Sequence, residues 1–267
     1  MIDIYVTKGG NRMNKILEIK SLDFSYHTLS GETKAIENVS FDVYENEFIG
    51  IIGPSGSGKS TILSLIFGLL TPTSGQICTA NLSHNTGDTP IGYMLQKDHL
   101  FEWRSIYKNI TLGLEINHQL TQEKKEFIEQ MLSDYDLSGF KNARPSQLSG
   151  GMRQRAALIR TLALKPSMLL LDEPFSALDS QTRLAVAEDI YNILRKEHKS
   201  AVLVTHDISE AISFCDRVVI LSKRPGTVKK IIPICLSVSK KTPLKARSAP
   251  EFKDYFNMLW EELHDEG

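Results

Sequence analysis

An apolar run, Phe48-Ile49-Gly50-Ile51-Ile52, leads directly into Gly53-Pro54-Ser55-Gly56-Ser57-Gly58-Lys59-Ser60 and then into Thr61-Ile62-Leu63-Ser64-Leu65-Ile66-Phe67. Few folds accept that order. It is strand, G-x-x-x-x-G-K-[ST] loop and helix, the context in which such a loop binds phosphate. The glycines let successive backbone N–H groups turn inward, and the start of the helix adds free donors and the positive end of its dipole. Gly53, Pro54, Ser55, Gly56, Ser57, Gly58, Lys59, Ser60 and Thr61 are therefore expected to cradle a phosphate chain. Lys59 would act as a mobile point charge on the β- and γ-phosphates and the Ser60 hydroxyl as a ligand of Mg²⁺.

A second apolar strand, Ser167-Met168-Leu169-Leu170-Leu171, stops in Asp172-Glu173-Pro174. Carboxylates at the C-terminal end of a buried strand lie where open α/β sheets bind ligands. Asp172 would hold Mg²⁺ through a water, and Glu173 is the natural general base for an attacking water. The competing reading is an acidic strand end that caps the next turn. Further on, Leu148-Ser149-Gly150-Gly151-Met152 places another glycine-rich anion cradle ahead of a helix, far along the chain from the phosphate loop.

With these motifs in this order, the chain resembles the nucleotide-binding subunit of ABC transporters from about Ile16 to its end. The resemblance implies a P-loop ABC-type α/β ATPase fold: a parallel-sheet core, an antiparallel β side sheet and an inserted α-helical subdomain. It also implies ATP and Mg²⁺ as ligands. Ser149, Gly150 and Gly151 would close on the γ-phosphate held by a second copy of the chain. Tyr26 matches the aromatic that stacks on adenine, against a surface tyrosine on an edge strand. Gln96, after Ile91-Gly92-Tyr93-Met94-Leu95, matches the glutamine that reaches Mg²⁺ and senses the membrane partner, against an ordinary strand-end glutamine. Asp179, in Ser176-Ala177-Leu178-Asp179, matches the loop crossing the dimer interface, although it could also cap the helix that follows. His206, after Ala201-Val202-Leu203-Val204-Thr205, matches the histidine on the γ-phosphate. Lys59, Gln96, Glu173 and His206 form the expected catalytic set, and Ser60, Gln96 and Asp172 the expected Mg²⁺ set.

The finer resemblance is to the importer group for nitrate, sulfonates, taurine and bicarbonate. It rests on Gly150-Gly151-Met152, Phe175-Ser176-Ala177-Leu178-Asp179 with Thr182-Arg183, Phe101-Glu102-Trp103-Arg104 and Arg224-Pro225-Gly226. That group usually has proline where this chain has Glu102, and importers of thiamine or riboflavin precursors share much of the pattern. The expected function is an ATP hydrolase driving a permease pair at the cytoplasmic face of the membrane, served indirectly by an extracytoplasmic substrate-binding protein. The alternatives are a vitamin-precursor importer, an exporter, a soluble ABC ATPase and a non-hydrolysing clamp. Neither the long coiled coil of repair ATPases nor the duplicated cassette of translation factors appears in the sequence.

Composition agrees with this. The 267 residues are 41% hydrophobic with a formal net charge of -1, which offers no electrostatic case for nucleic acid. The longest apolar stretch, Ile62 to Leu70, is too short for a membrane span. Cys78, Cys215 and Cys235 have no metal spacing, fit a reducing compartment and are expected to be packing residues. Residues 1–13 read as a flexible extension, 14–240 as the ATPase domain with its helical subdomain at about 97–165, and 241–267 as a basic linker and closing helix. Ile16–Tyr26 and Ala35–Val43 alternate as antiparallel strands about a turn at Leu29–Glu32, and Asn81–Pro90 reads as a polar loop. Arg153, Arg155 and Arg160 on the helix after the second cradle are read as mainly structural.

Overall fold

The computed structural model describes residues 14–28, 31–79 and 91–264. The expected extension over 1–13, part of the turn at Leu29–Glu32 and the loop Asn81–Pro90 lie outside them.

Two long alternating strands, β1 (Lys15–Thr28) and β2 (Gly31–Tyr44), pair antiparallel. β4 (Ser74–Cys78) adds to the other edge of β1, giving a three-stranded side sheet ordered β2-β1-β4. The main sheet has the order β5-β6-β7-β3-β8-β9, formed by Ile91–Met94, Met168–Asp172, Ser200–Val204, Phe48–Ile52, Arg217–Leu221 and Val228–Pro233 respectively. All its pairings are parallel except the antiparallel hairpin of β8 with β9.

The central strands are continuous apolar runs because both sheet faces are covered. Alternate residues divide cleanly. Phe48, Ile52, Leu169, Leu171, Leu203, Val218 and Ile220 join one core with α2 (Ile106–Ile116), α3 (Gln122–Asp134), α4 (Gly150–Leu162), α5 (Ser180–Lys196) and α6 (Ile208–Phe214). Ile49, Ile51, Leu170, Val202, Val204 and Val219 join the other with the side sheet and α1 (Lys59–Phe67).

Between β5 and β6 the chain is helical, with two short 3₁₀ turns between α3 and α4. Ser105 and Thr121 cap α2 and α3 with their side-chain oxygens. On α4, Arg153 pairs with Asp98 at 3.2 Å and Arg155 with Asp189 at 2.7 Å, while Arg160 donates to the carbonyls of His99 and Asp98. These arginines tie the segment after Gln96 and helix α5 to α4.

The C-terminal residues are docked on the core. α7 (Pro243–Ala246) interrupts the expected linker, and the ammonium of Lys241 donates to the Cys215 carbonyl. α8 (Phe252–His264) buries Leu259 in the larger core. Cys215 packs as expected, but Cys78 and Cys235 are exposed. Cys78 sits on β4, most of whose residues face solvent, so no apolar alternation marked either the strand or the exposure of its cysteine.

Candidate functional site

Register brings the sequence motifs together. Ile51 on β3 lies opposite Val204 on β7, Val204 opposite Asp172 on β6, and Leu171 opposite Met94 on β5. Gly53, His206, Glu173 and Gln96 each follow one of those rows by one or two residues, so four separated segments emerge at one carboxyl edge of the sheet.

The phosphate loop is shaped by its neighbours. Gly58, the residue before α1, has φ +90°, and a Cβ there would lie 2.4 Å from Ile36 Cγ2, so only glycine fits. Lys59 is buried and donates to the carbonyls of Gly53 at 2.8 Å and Pro54 at 3.0 Å. Burial pushes its ammonium below the usual lysine range, against the opposing pull of Glu173 and Asp172. An anion in the loop relieves that cost.

Asp172 is buried at the end of β6 and accepts from Ser60 Oγ at 3.0 Å and from the Tyr93 hydroxyl at 3.4 Å. Burial raises its carboxyl above the usual range, with the Glu173 charge acting in the same direction and the Ser60 hydrogen bond against it. A small hard cation between the Ser60 and Asp172 oxygens suits this donor set and reverses the penalty.

Glu173 follows in a left-handed conformation, φ +43°, which costs a non-glycine residue about 1–2 kcal/mol. Its N–H donates to the Val204 carbonyl at 2.9 Å, and its own carbonyl accepts from Ser176 N and Oγ. That backbone turn aims the carboxylate away from the β6 core. Its Oε2 accepts from Gln96 Nε2 at 3.2 Å, and its Oε1 lies 3.2 Å from His206 Nδ1. His206 is itself 62% exposed. Behind it, Thr205 Oγ1 donates to buried Glu210 at 2.6 Å and accepts from Asp207 N at 3.0 Å, fixing the turn from which the imidazole projects.

An open cavity of about 590 Å³ is lined by Tyr26, Lys59, Ser60, Thr61, Gln96, Glu173 and His206, with Ser55, Gly56 and Gly58 of the loop. Tyr26 is 42% exposed, and its hydroxyl shares a 3.1 Å hydrogen bond with Thr61 Oγ1 while Phe24 meets its ring edge-on. The ring is thus braced where it lines the cavity. Gly53 and Pro54 line a neighbouring cavity instead, and Ser57 is fully buried. Ser149, Gly150, Gly151 and Asp179 do not line the Tyr26 cavity. Ser149 caps α4 by accepting from Met152 N at 3.3 Å, and Asp179 caps α5 by accepting from Gln181 and Thr182 N. Gly151 is buried where α4 meets α5, its Cβ position 3.1 Å from Thr182 and Val186 methyl groups.

Ala35 and Arg224 also line the cavity, and Tyr93 bonds Asp172, although no sequence motif contains Ala35 or ties Tyr93 to that carboxylate. Only the third dimension joins them to the loop. It also explains Glu102, whose carboxylate accepts from Ser146 N at 3.1 Å and whose carbonyl accepts from Arg144 at 3.2 Å. A proline keeps the carbonyl but not the carboxylate, so here the segment after Gln96 gains a second tie to the turn leading into Leu148.

The ABC transporter family model matches residues 36–176. An uncharacterised ABC transporter ATP-binding protein, YtlC of Bacillus subtilis, is 43% identical over 248 residues, 93% of this chain and 95% of that one. The nitrate import ATP-binding protein NrtD of Synechocystis is 37% identical over 243 residues, 90% of this chain and 91% of its own. Among solved structures, the ATP-binding cassette MJ0796, a dimer in a post-hydrolysis state bound to ADP and phosphate, matches with a TM-score of 0.70 and 31% identity. It covers 82% of this chain and 99% of that one.

Proposed function

The chain belongs to the ABC transporter family, and we propose that it is the ATP-hydrolysing subunit of an importer for a small solute such as nitrate, a sulfonate or taurine. The observation that carries the catalytic part is the meeting of Gln96, Glu173 and His206 over a cavity floored by Lys59 and Ser60. The relation to the nitrate import protein supports the solute class.

In this reading Tyr26 stacks on adenine and the loop from Ser55 to Thr61 wraps the phosphates, while Lys59 exchanges its two carbonyl partners for phosphate oxygens. Mg²⁺, held by Ser60, by Asp172 through a water and by Gln96, would offset the charge on the phosphates when bound. Glu173 accepts the proton of the attacking water, and His206 holds the γ-phosphate in line. Gln96, hydrogen-bonded to Glu173 and exposed, links that base to whatever moves the segment from Lys97 to Arg104.

Ser149 and Gly151 stand away from the chain's own cavity, as residues acting on a second copy would. The dimeric state of MJ0796 supports this arrangement. Binding of two ATP molecules would close the pair and rock the attached permease subunits, and hydrolysis would release it. No helix among the described residues is long and apolar enough to cross a membrane, so membrane attachment at the cytoplasmic face would come through the permease. The substrate-binding protein would act from the other side.

A phosphate-release assay with Mg²⁺ and ATP tests the reading. Wild type is expected to turn over, and Lys59→Ala to lose nucleotide binding. A wild-type protein that binds ATP in the presence of its permease without releasing phosphate would leave only a clamp.

A further inference from the structure

The hairpin joining β8 to β9 belongs to no motif of the proposed site, yet it reaches the nucleotide cavity. Its residue Arg224 is exposed and lines that cavity together with Tyr26, Ala35 and the phosphate loop. Among the described residues the guanidinium has no hydrogen-bond or ion-pair partner, whereas Lys59, the other cation lining the cavity, is held by two loop carbonyls.

The hairpin is also braced, by hydrogen bonds to β2 and by close backbone approach to the phosphate loop. Gly226 N donates to the Ala35 carbonyl and the Gly226 carbonyl accepts from Glu37 N, both at 2.9 Å. A Cβ on Gly226 would lie 2.0 Å from the Ser57 carbonyl oxygen, so the two backbones touch. Ser222 Oγ closes the turn through the carbonyls of Lys223 and Pro225 and the N–H and hydroxyl of Thr227. A free guanidinium on a fixed base, facing a cavity built for a polyphosphate, is preorganised for it.

We propose that Arg224 is a nucleotide-binding residue: a second cation, supplied in cis by the β8–β9 hairpin, that contacts the polyphosphate of ATP from the Tyr26 side of the cavity. This rests on the reading of the cavity as an ATP site. In the proposed site Glu173 serves the attacking water and His206 the γ-phosphate, so Arg224 adds binding that is shared by ground and transition states.

The experiment compares wild type with Arg224→Ala and Arg224→Met by ATP titration in steady-state hydrolysis and by calorimetry, at low and high salt. Removing one exposed charge-assisted contact should raise KM and Kd about 5- to 20-fold and lower kcat by no more than about two-fold. The affinity gap should narrow at high salt, because an exposed charge pair is screened. Arg224→Met keeps most of the side-chain bulk, and ligand-free melting temperatures report folding separately. A purely structural role would lower melting temperature without a salt-dependent affinity gap, and that outcome overturns the proposal. Wild-type KM in both variants also overturns it while leaving the ATPase reading intact. Failure of the wild type itself to bind ATP would remove both.

Discussion

Replacing Glu173 with glutamine separates chemistry from binding at this site. The side chain keeps its volume, and Glu173 is neither fully buried nor in a tight core. The amide oxygen can still accept from Gln96 Nε2, now 3.2 Å away, and its NH₂ can face His206 Nδ1, also 3.2 Å away. Geometry is therefore retained and only proton acceptance is lost. A positioned general base contributes about 10²–10⁴-fold, roughly 3–5 kcal/mol of barrier. Nucleotide affinity should hold or tighten, because a negative charge beside the phosphates is removed. Steady-state phosphate release at saturating ATP and Mg²⁺, with calorimetry on the same preparation, reads both quantities. A variant that keeps more than a tenth of wild-type turnover, or that loses ATP affinity, would falsify the assignment of Glu173 as base.

Three further outcomes are expected. Gly226→Ala should destabilise the protein by about 1–3 kcal/mol, since its Cβ would overlap the Ser57 carbonyl; thermal melting checks this, and an unchanged melting temperature would refute the contact. Asp172→Asn should not lower ligand-free stability at neutral pH. The Asp172 pKa is raised by burial, so its ionised form opposes folding above the unfolded pKa, and that penalty fades as pH falls through the folded value. The same variant should lose Mg²⁺-dependent turnover, and a clear drop in ligand-free melting temperature would contradict the sign. His206→Ala should cut turnover by about 10²-fold or more with ATP still bound, as checked by filter retention of nucleotide.

Much of the site was legible because each motif sits where a buried strand ends. The runs Phe48–Ile52, Met168–Asp172 and Ala201–Val204 mark their strands by composition, and sheet register then aligns their ends. The start of α5 was legible from Asp179, whose side chain accepts backbone hydrogen bonds. β4 was not, because its exposed residues carry no alternation and its pairing with β1 depends on a partner more than fifty residues away. Arg224 was visible only as part of a tripeptide, since its reach to the phosphate loop is set by Gly226 lying against Ala35 and Ser57. The docking of Lys241 under the Cys215 carbonyl likewise leaves no periodic trace in a basic segment.

The central claim, a site completed by a second copy, is tested most directly by mixing two inactive variants. Lys59→Ala lacks a phosphate loop that holds nucleotide, and Ser149→Arg lacks a usable cradle for its partner. In a mixed dimer one site carries both lesions and the other carries neither, so random pairing should restore about a quarter of wild-type ATPase activity. Restored hydrolysis at equimolar mixing, absent from either variant alone, is the result this account predicts. A mixture that stays inactive at every ratio, while native mass spectrometry shows mixed dimers with ATP bound, contradicts it.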